Sequence, residues 1–326
     1  MRPLSARPID RREFRIPHPT LGLDVYLRNK RPADVARFTP ERTVLFVHGA
    51  TYPASVAFDL ALEGQSWMDF VAARGFDAWL VDLPGYGQSD RPPQMAAPAR
   101  DNAPVVATDV AVATVGAAVE FICTREAVAR LNLVGWSWGT AIMAGFTARN
   151  RARVEKLTLF APLWTMAGAP ALADTSGGLG SWRAVGVEEM RARWLRGVPQ
   201  DAVARLLPEK WFAAFVAAAL ASDPEGAAMS PPALRAPNGV IADVMGCWMQ
   251  GRPTWQPAEI FCPTLIVVGE WDADTPPAMA QAIFSRLDNA RTKQLTLIGR
   301  ATHAIALESG RRTLFETVQT FLESTG

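Results

Sequence analysis

Three residues with the chemistry of a nucleophile, a carboxylate partner and a base occur in the order Ser137, Asp272, His303, each just past an apolar run. Ser137 centres Gly135-Trp136-Ser137-Trp138-Gly139, which follows Leu131-Asn132-Leu133-Val134. Gly-x-Ser-x-Gly at a strand-to-helix turn exposes the hydroxyl on a sharp, strained backbone for which the glycines leave room. A serine hydroxyl is a poor nucleophile until a base takes its proton. His303 ends Gly299-Arg300-Ala301-Thr302-His303, after the apolar Gln294 to Ile298 segment, and is one of only three histidines. An imidazole with a pKa near ~6.5 serves as general base at neutral pH, and a carboxylate on its far nitrogen fixes the tautomer and stabilises the imidazolium. That carboxylate is expected in Gly269-Glu270-Trp271-Asp272, past Thr264 to Val268. Asp272 is preferred. Asp274, which precedes Thr275-Pro276-Pro277 and suits a helix cap, is its competitor, and Glu270 is the third candidate.

A tetrahedral intermediate needs donors for its oxyanion. His48-Gly49-Ala50 closes the strand-like Val44 to Val47, so the backbone N–H of Ala50, with that of Trp138 as second donor, is the expected oxyanion hole. His48 is read as orienting this turn rather than transferring protons, and His18, between Pro17 and Pro19, receives no role. His48, Tyr52, Trp136 and Trp164 are the candidates for lining a substrate pocket.

With these motifs the chain resembles the α/β-hydrolase superfamily from about Leu23 to the C-terminus. The resemblance includes Val47-His48-Gly49, the loop Asp82-Leu83-Pro84-Gly85-Tyr86-Gly87-Gln88-Ser89-Asp90, the 135–139 elbow, the Gly-x-x-Asp at 269–272 and the terminal Thr302-His303. It implies the superfamily's Ser, Asp, His order and a cap inserted after the elbow half of the core. The 82–90 loop is read as a tight turn with no catalytic role.

The pattern of elements agrees. Short Leu- and Val-rich runs at 44–47, 78–81, 131–134, 157–160, 265–268 and 295–298 alternate with helical stretches at about 108–130, 137–150, 276–287 and 309–322. This predicts an α/β fold: a mostly parallel twisted sheet with helices on both faces, preceded by an antiparallel strand at 23–28. Between Pro162 and Phe261 the alternation stops. Helical patterns at 187–195, 201–207 and 209–221, with six of the eleven tryptophans (Trp164, Trp182, Trp194, Trp211, Trp248 and Trp255), predict a mainly helical cap. The expected units are thus core 1–161, cap 162–261 and core 262–326.

Composition narrows the class. At 49% hydrophobic and 20% charged residues with a net charge of +1, the chain has an ordinary globular composition, and no nucleic-acid partner is supported. Cys123, Cys247 and Cys262 form no metal spacing, which fits a reduced, cytoplasmic setting without a metal or cofactor. Asp10-Arg11-Arg12-Glu13-Phe14 superficially resembles a twin-arginine export signal, but no apolar segment follows, so it is read as a basic surface arm. The longest apolar stretch, Trp211 to Ala221, is too short to span a bilayer, and no membrane partner is expected.

The reaction expected is serine hydrolysis of a small or medium carboxylic ester through an acyl-enzyme, the Trp-rich insertion suggesting an apolar or aromatic monoester. Relatives that open epoxides or remove halides carry aspartate at the position of Ser137. Hydrolysis of a carbon–carbon bond in dienoic ring-cleavage products uses the same triad and is the alternative, although the glycine-rich continuation after His-Gly is replaced by Ala50-Thr51-Tyr52. A non-catalytic ligand-binding scaffold is the reading from another class. The sequence leaves the oligomeric state open.

Overall fold

A computed structural model describes residues 7–166 and 178–325. Ten strands are present among them: β1 (Ile9–Pro17), β2 (Asp24–Pro32), β3 (Thr43–Val47), β4 (Asp77–Val81), β5 (Leu131–Trp136), β6 (Val154–Phe160), β7 (Trp182–Gly186), β8 (Ala233–Pro237), β9 (Thr264–Gly269) and β10 (Lys293–Ile298). Eight form one sheet in the order β1-β2-β4-β3-β5-β6-β9-β10, parallel from β4 to β10 and antiparallel at β1 and β2. Every residue of β3, β4, β5 and β9 is buried. Such strands read as near-continuous apolar runs because helices cover both faces of the sheet.

The helices are α1 (Ala54–Ala57), α2 (Trp67–Ala72), α3 (Thr108–Glu126), α4 (Trp138–Arg149), α5 (Val187–Trp194), α6 (Val203–Leu206), α7 (Glu209–Ala221), α8 (Pro224–Ala227), α9 (Gly239–Gly246), α10 (Pro277–Ser285) and α11 (Arg311–Glu323). α3, α4 and α10 contribute Val115, Ile142 and Ile283 to a core on one face, while α2 and α11 bring Phe70, Leu314, Phe315 and Val318 to the other. Burying each such side chain is worth roughly 1.5–3 kcal/mol. In α11 the buried positions 314, 315, 318, 321 and 322 recur at helical spacing, so one stripe meets the sheet. Its C-terminal carbonyls at Phe321 and Leu322 each accept from the buried Lys156 ammonium at 2.9 Å, a cation at the negative end of the helix. α2 begins with a reciprocal capping box between Ser66 and Asp69.

One expectation needs correction. The basic stretch at 10–14 is not a surface arm but part of β1, the sheet's edge strand, paired antiparallel with β2 from Ile9↔Pro32 to Pro17↔Asp24. Phe14 and Ile16 turn inward, Phe14 lying 5.3 Å from the Trp79 ring, while Arg11 and Glu13 pair with one another at the surface. Charges on an edge strand of this kind discourage pairing with another chain.

Between β6 and β9 the described residues hold α5 to α9 together with β7 and β8, which pair only with each other as an antiparallel ribbon. The helices predicted there are present as α5, α6 and α7; the ribbon was not expected. No helix among the described residues is long and apolar enough to cross a membrane.

Candidate active site

The ends of β3, β5, β9 and β10 lead to His48, Ser137, Asp272 and His303, so the sheet brings together residues more than two hundred positions apart. Ser137 sits between β5 and α4 with φ 57 and ψ −119, a positive φ that a side chain adopts only under strain. The flanking glycines serve close approach. A Cβ on Gly135 would lie 2.4 Å from the Gly139 carbonyl oxygen, and one on Gly139 would lie 2.3 Å from that of Val47. A Cβ on Gly49 would stand 3.0 Å from that of Ser137. The elbow is therefore packed directly on the β3 turn.

His303 Nδ1 lies 2.9 and 3.0 Å from the two carboxylate oxygens of Asp272. Asp272 is itself fixed: Oδ1 accepts from the backbone N–H of Asp274 (3.0 Å) and Thr275 (2.8 Å), and Oδ2 accepts from the Thr275 hydroxyl at 2.9 Å. Nε2 of His303 is buried and has no partner among the described residues. Asp274 points elsewhere, accepting from Arg193 Nε at 2.7 Å and pairing with Arg196. It caps no helix, since Pro276 holds that position in α10. Glu270 accepts from the Arg300 backbone N–H.

The Ala50 turn is held from three sides. His48 Nδ1 is 2.7 Å from the Gly49 carbonyl oxygen, and Nε2 accepts from the Leu83 N–H at 3.1 Å. This arrangement requires the neutral Nδ1–H tautomer, and burial pushes the His48 pKa down to about 4. Because a trans peptide points its C=O and N–H in opposite directions, the grip on Gly49 O turns the Ala50 N–H the other way. The next carbonyl, of Ala50, accepts from the Tyr86 hydroxyl (3.0 Å) and Arg183 Nη2 (2.7 Å). The amides of Ala50 and Trp138 have no acceptor among the described residues.

A narrow cavity of about 30 Å³ opens beside Ser137, lined by the 49–52 turn, Trp136, Met190, Arg193, Trp194, Asp274, His303 and Ala304. Of the four pocket candidates, Tyr52 and Trp136 line it. Trp136 also donates from Nε1 to the His303 carbonyl at 2.9 Å, holding the loop that carries the imidazole. His48 and Trp164 require correction. His48 is fully buried behind the turn with both ring nitrogens engaged, and Trp164 packs away from the cavity, its Nε1 donating to the Trp255 carbonyl at 3.2 Å. The ring of Trp138 is likewise in the core, donating to Thr108 Oγ1, so only its backbone is available to the site.

The sequence offers Arg193 only as one of several arginines (Arg183, Arg191, Arg193 and Arg252) that could bind a substrate carboxylate and Trp194 only as one of six tryptophans of the insertion; Met190 and Glu308 escaped it. Met190, Arg193 and Trp194 share one face of α5 at i, i+3 and i+4 spacing, the one local signal that could have grouped them. Burial lowers the Arg193 pKa against the opposing influence of Tyr52, Asp272 and Glu189, and pushes the Tyr52 hydroxyl up to about 12. Glu308, behind the His303 loop, accepts from Trp194 Nε1 (2.9 Å), the Thr302 N–H (3.2 Å) and the Thr302 hydroxyl. Burial raises its pKa to about 7 despite those hydrogen bonds. No group of three or more His, Cys, Asp and Glu able to hold a metal occurs among the described residues.

A family model described as alpha/beta hydrolase fold matches residues 42–183. An esterase from Thermogutta terrifontis is similar at 21% identity and TM-score 0.56, over 95% of this chain and 98% of that one. A serine hydrolase from Cycloclasticus zankles is similar at 14% identity and TM-score 0.63, over 96% and 98%. 2-Hydroxy-6-oxo-6-phenylhexa-2,4-dienoate hydrolase from Rhodococcus sp. strain RHA1 is similar at 18% identity and TM-score 0.59, over 96% and 99%. No curated protein matches the chain by sequence comparison.

Proposed function

We propose that this chain, which has the α/β-hydrolase fold, is a serine hydrolase that cleaves small carboxylic esters through Ser137, His303 and Asp272. The observation that carries the reading is the Asp272–His303 pair. With Nδ1 engaged at 2.9 Å, Nε2 remains a buried base without a partner among the described residues, on the cavity that Ser137 also lines. His303 takes the Ser137 proton as the hydroxyl attacks the ester carbonyl, and Asp272 stabilises the imidazolium. The Ala50 and Trp138 amides receive the oxyanion, each such donor being worth roughly 3 kcal/mol in comparable sites. His303 then protonates the leaving alcohol and activates the water that releases the acid. Catalytic hydrogen bonds are often formed only with substrate in place, which accounts for an unpartnered Nε2 in the free protein. The narrow cavity and its Trp136, Trp194 and Met190 walls favour a short acyl part with an apolar stem.

The test is hydrolysis of a chain-length and aromatic series of p-nitrophenyl esters by the purified protein and by Ser137→Ala, alongside labelling with a fluorophosphonate. The expected result is turnover greatest for short acyl chains, reduced by several powers of ten in Ser137→Ala, with label on Ser137 alone. Absence of both turnover and label would remove the proposal.

A further inference from the structure

The chemistry above leaves two charged groups in the cavity unused, Arg193 and Asp274. Arg193 reaches in from α5 between Met190 and Trp194. Its Nε donates to Asp274 Oδ2 at 2.7 Å and its Nη1 to Thr51 Oγ1 at 3.1 Å, while Nη2 has no acceptor among the described residues. Asp274 does not neutralise it alone, because its other oxygen pairs with Arg196. A further buried guanidinium, Arg183, meets only carbonyl, amide and hydroxyl oxygens: Pro237 O, Asn238 Oδ1, Ala50 O and Thr51 Oγ1. Asp272, Asp274 and the exposed Glu189 thus stand near three guanidinium groups, of which Arg193 alone lines the cavity. A guanidinium nitrogen left without an acceptor on a partly desolvated cavity favours an anionic one.

Tyr52 supplies a second donor. It lines the same cavity with its ring edge-on to Phe215 at 4.7 Å, and its hydroxyl has no partner among the described residues. Both donors adjoin the oxyanion turn. Arg193 holds Thr51, the residue after Ala50, so its guanidinium stands about one residue, ~3.8 Å of chain, beyond the expected oxyanion amide. A group bound there is separated from the scissile carbonyl by a short spacer.

We propose that Arg193 and Tyr52 form a carboxylate subsite, and that the substrate class is the half-ester of a short dicarboxylic acid. One carboxylate oxygen accepts from Arg193 Nη2 and the other from the Tyr52 hydroxyl, with the ester carbonyl directed at Ser137. The substrate part of this inference rests on the ester-hydrolase reading; the binding part does not. Hydrolysis would release the dicarboxylate and an alcohol, with water as the only co-reactant.

The experiment compares ethyl hydrogen succinate with ethyl isocaproate, in which an isopropyl group replaces the carboxylate. The native protein is expected to prefer the succinate ester in kcat/KM. Arg193→Gln is expected to lower the succinate-to-isocaproate ratio at least about tenfold, the scale of a hydrogen bond to a charged group, mainly through KM. Arg193→Lys should restore part of that ratio, since it keeps the charge and loses the fork, and Tyr52→Phe should lower it several-fold. In parallel, calorimetry of ethyl hydrogen succinate with Ser137→Ala reads the subsite without turnover, and adding Arg193→Gln should weaken that affinity at least about tenfold. Turnover of isocaproate without a succinate preference, or a ratio unchanged in Arg193→Gln, overturns the subsite and leaves the hydrolase. Turnover of neither ester, with Arg193-dependent binding intact, keeps the subsite and removes the hydrolase. No binding of the half-ester to Ser137→Ala overturns the subsite.

Discussion

Asp272→Asn changes one atom, yet the contacts around the carboxylate dictate a large effect. Oδ1 accepts two backbone N–H groups, from Asp274 and Thr275, so the new amide nitrogen cannot occupy that side without setting donor against donor. It must take the Oδ2 position, 2.9 Å from both the Thr275 hydroxyl and His303 Nδ1. The hydroxyl can rotate to accept. His303 Nδ1 then lies 2.9 Å from an amide donor and 3.0 Å from the remaining oxygen, so the tautomer with a free Nε2 is disfavoured and the charge that would stabilise the imidazolium is gone. Loss of tautomer and counter-charge in a triad costs about ten-thousandfold, or ~5 kcal/mol of transition-state stabilisation. The expectation for Asp272→Asn is therefore a fall in kcat/KM of about 10⁴ on a p-nitrophenyl ester, with folding confirmed by an unbroken thermal transition. Asp274→Asn, which disturbs only the Arg193 and Arg196 pairs, should lose much less. The reasoning is refuted if Asp272→Asn stays within about tenfold of the native rate, or if Asp274→Asn is the more damaged of the two.

Two further predictions concern stability. Within α4, Gly139→Ala and Gly145→Ala should have opposite signs: a Cβ at 139 meets the Val47 carbonyl oxygen at 2.3 Å, whereas one at 145 meets only Val112 Cγ2, at 3.5 Å. Chemical denaturation should show a loss of about 3 kcal/mol or more for the first and a gain of roughly 0.5–1 kcal/mol for the second; equal changes would contradict the close packing of the elbow on β3. Glu308, raised by burial from 4.5 to about 7, binds its proton more tightly in the folded than in the unfolded chain. Its stabilising contribution is complete below about pH 4.5 and is lost as pH rises through about 7, on the order of 3 kcal/mol. Urea midpoints at pH 5 and pH 8 should therefore differ less in Glu308→Gln than in the native chain, and an identical pH dependence in both would exclude this carboxyl as the cause.

Much of the scaffold was legible because its signals are local. Buried parallel strands must be short apolar runs, and the helices between them need a 3.6-residue pattern, so six core strands and their helices could be read one segment at a time. The elbow was legible for the same reason: the backbone approaches at Gly135 and Gly139 admit no side chain, which leaves a fixed spacing in the sequence. β1 was missed because an edge strand that is half solvated and carries Arg11, Arg12 and Glu13 resembles a polar arm until its pairing with β2 is seen.

The residue types and order of Ser137, Asp272 and His303, and the run of strands that carries them, were determined by the sequence alone, because chemistry and local backbone geometry restrict which residues can stand there. Tertiary structure decided the rest. It turned Asp272 rather than Asp274 toward His303, seated His48 behind the 49–52 turn, and packed Trp164 against Trp255. It also brought Tyr86, Arg183, Arg193, Trp194 and Glu308 to the site. Those contacts join segments up to 142 residues apart, as Arg193 with Thr51, and no local periodicity records them. Those of Arg183, Arg193 and Trp194 arise where β7 and α5 meet the 49–52 turn and the His303 loop.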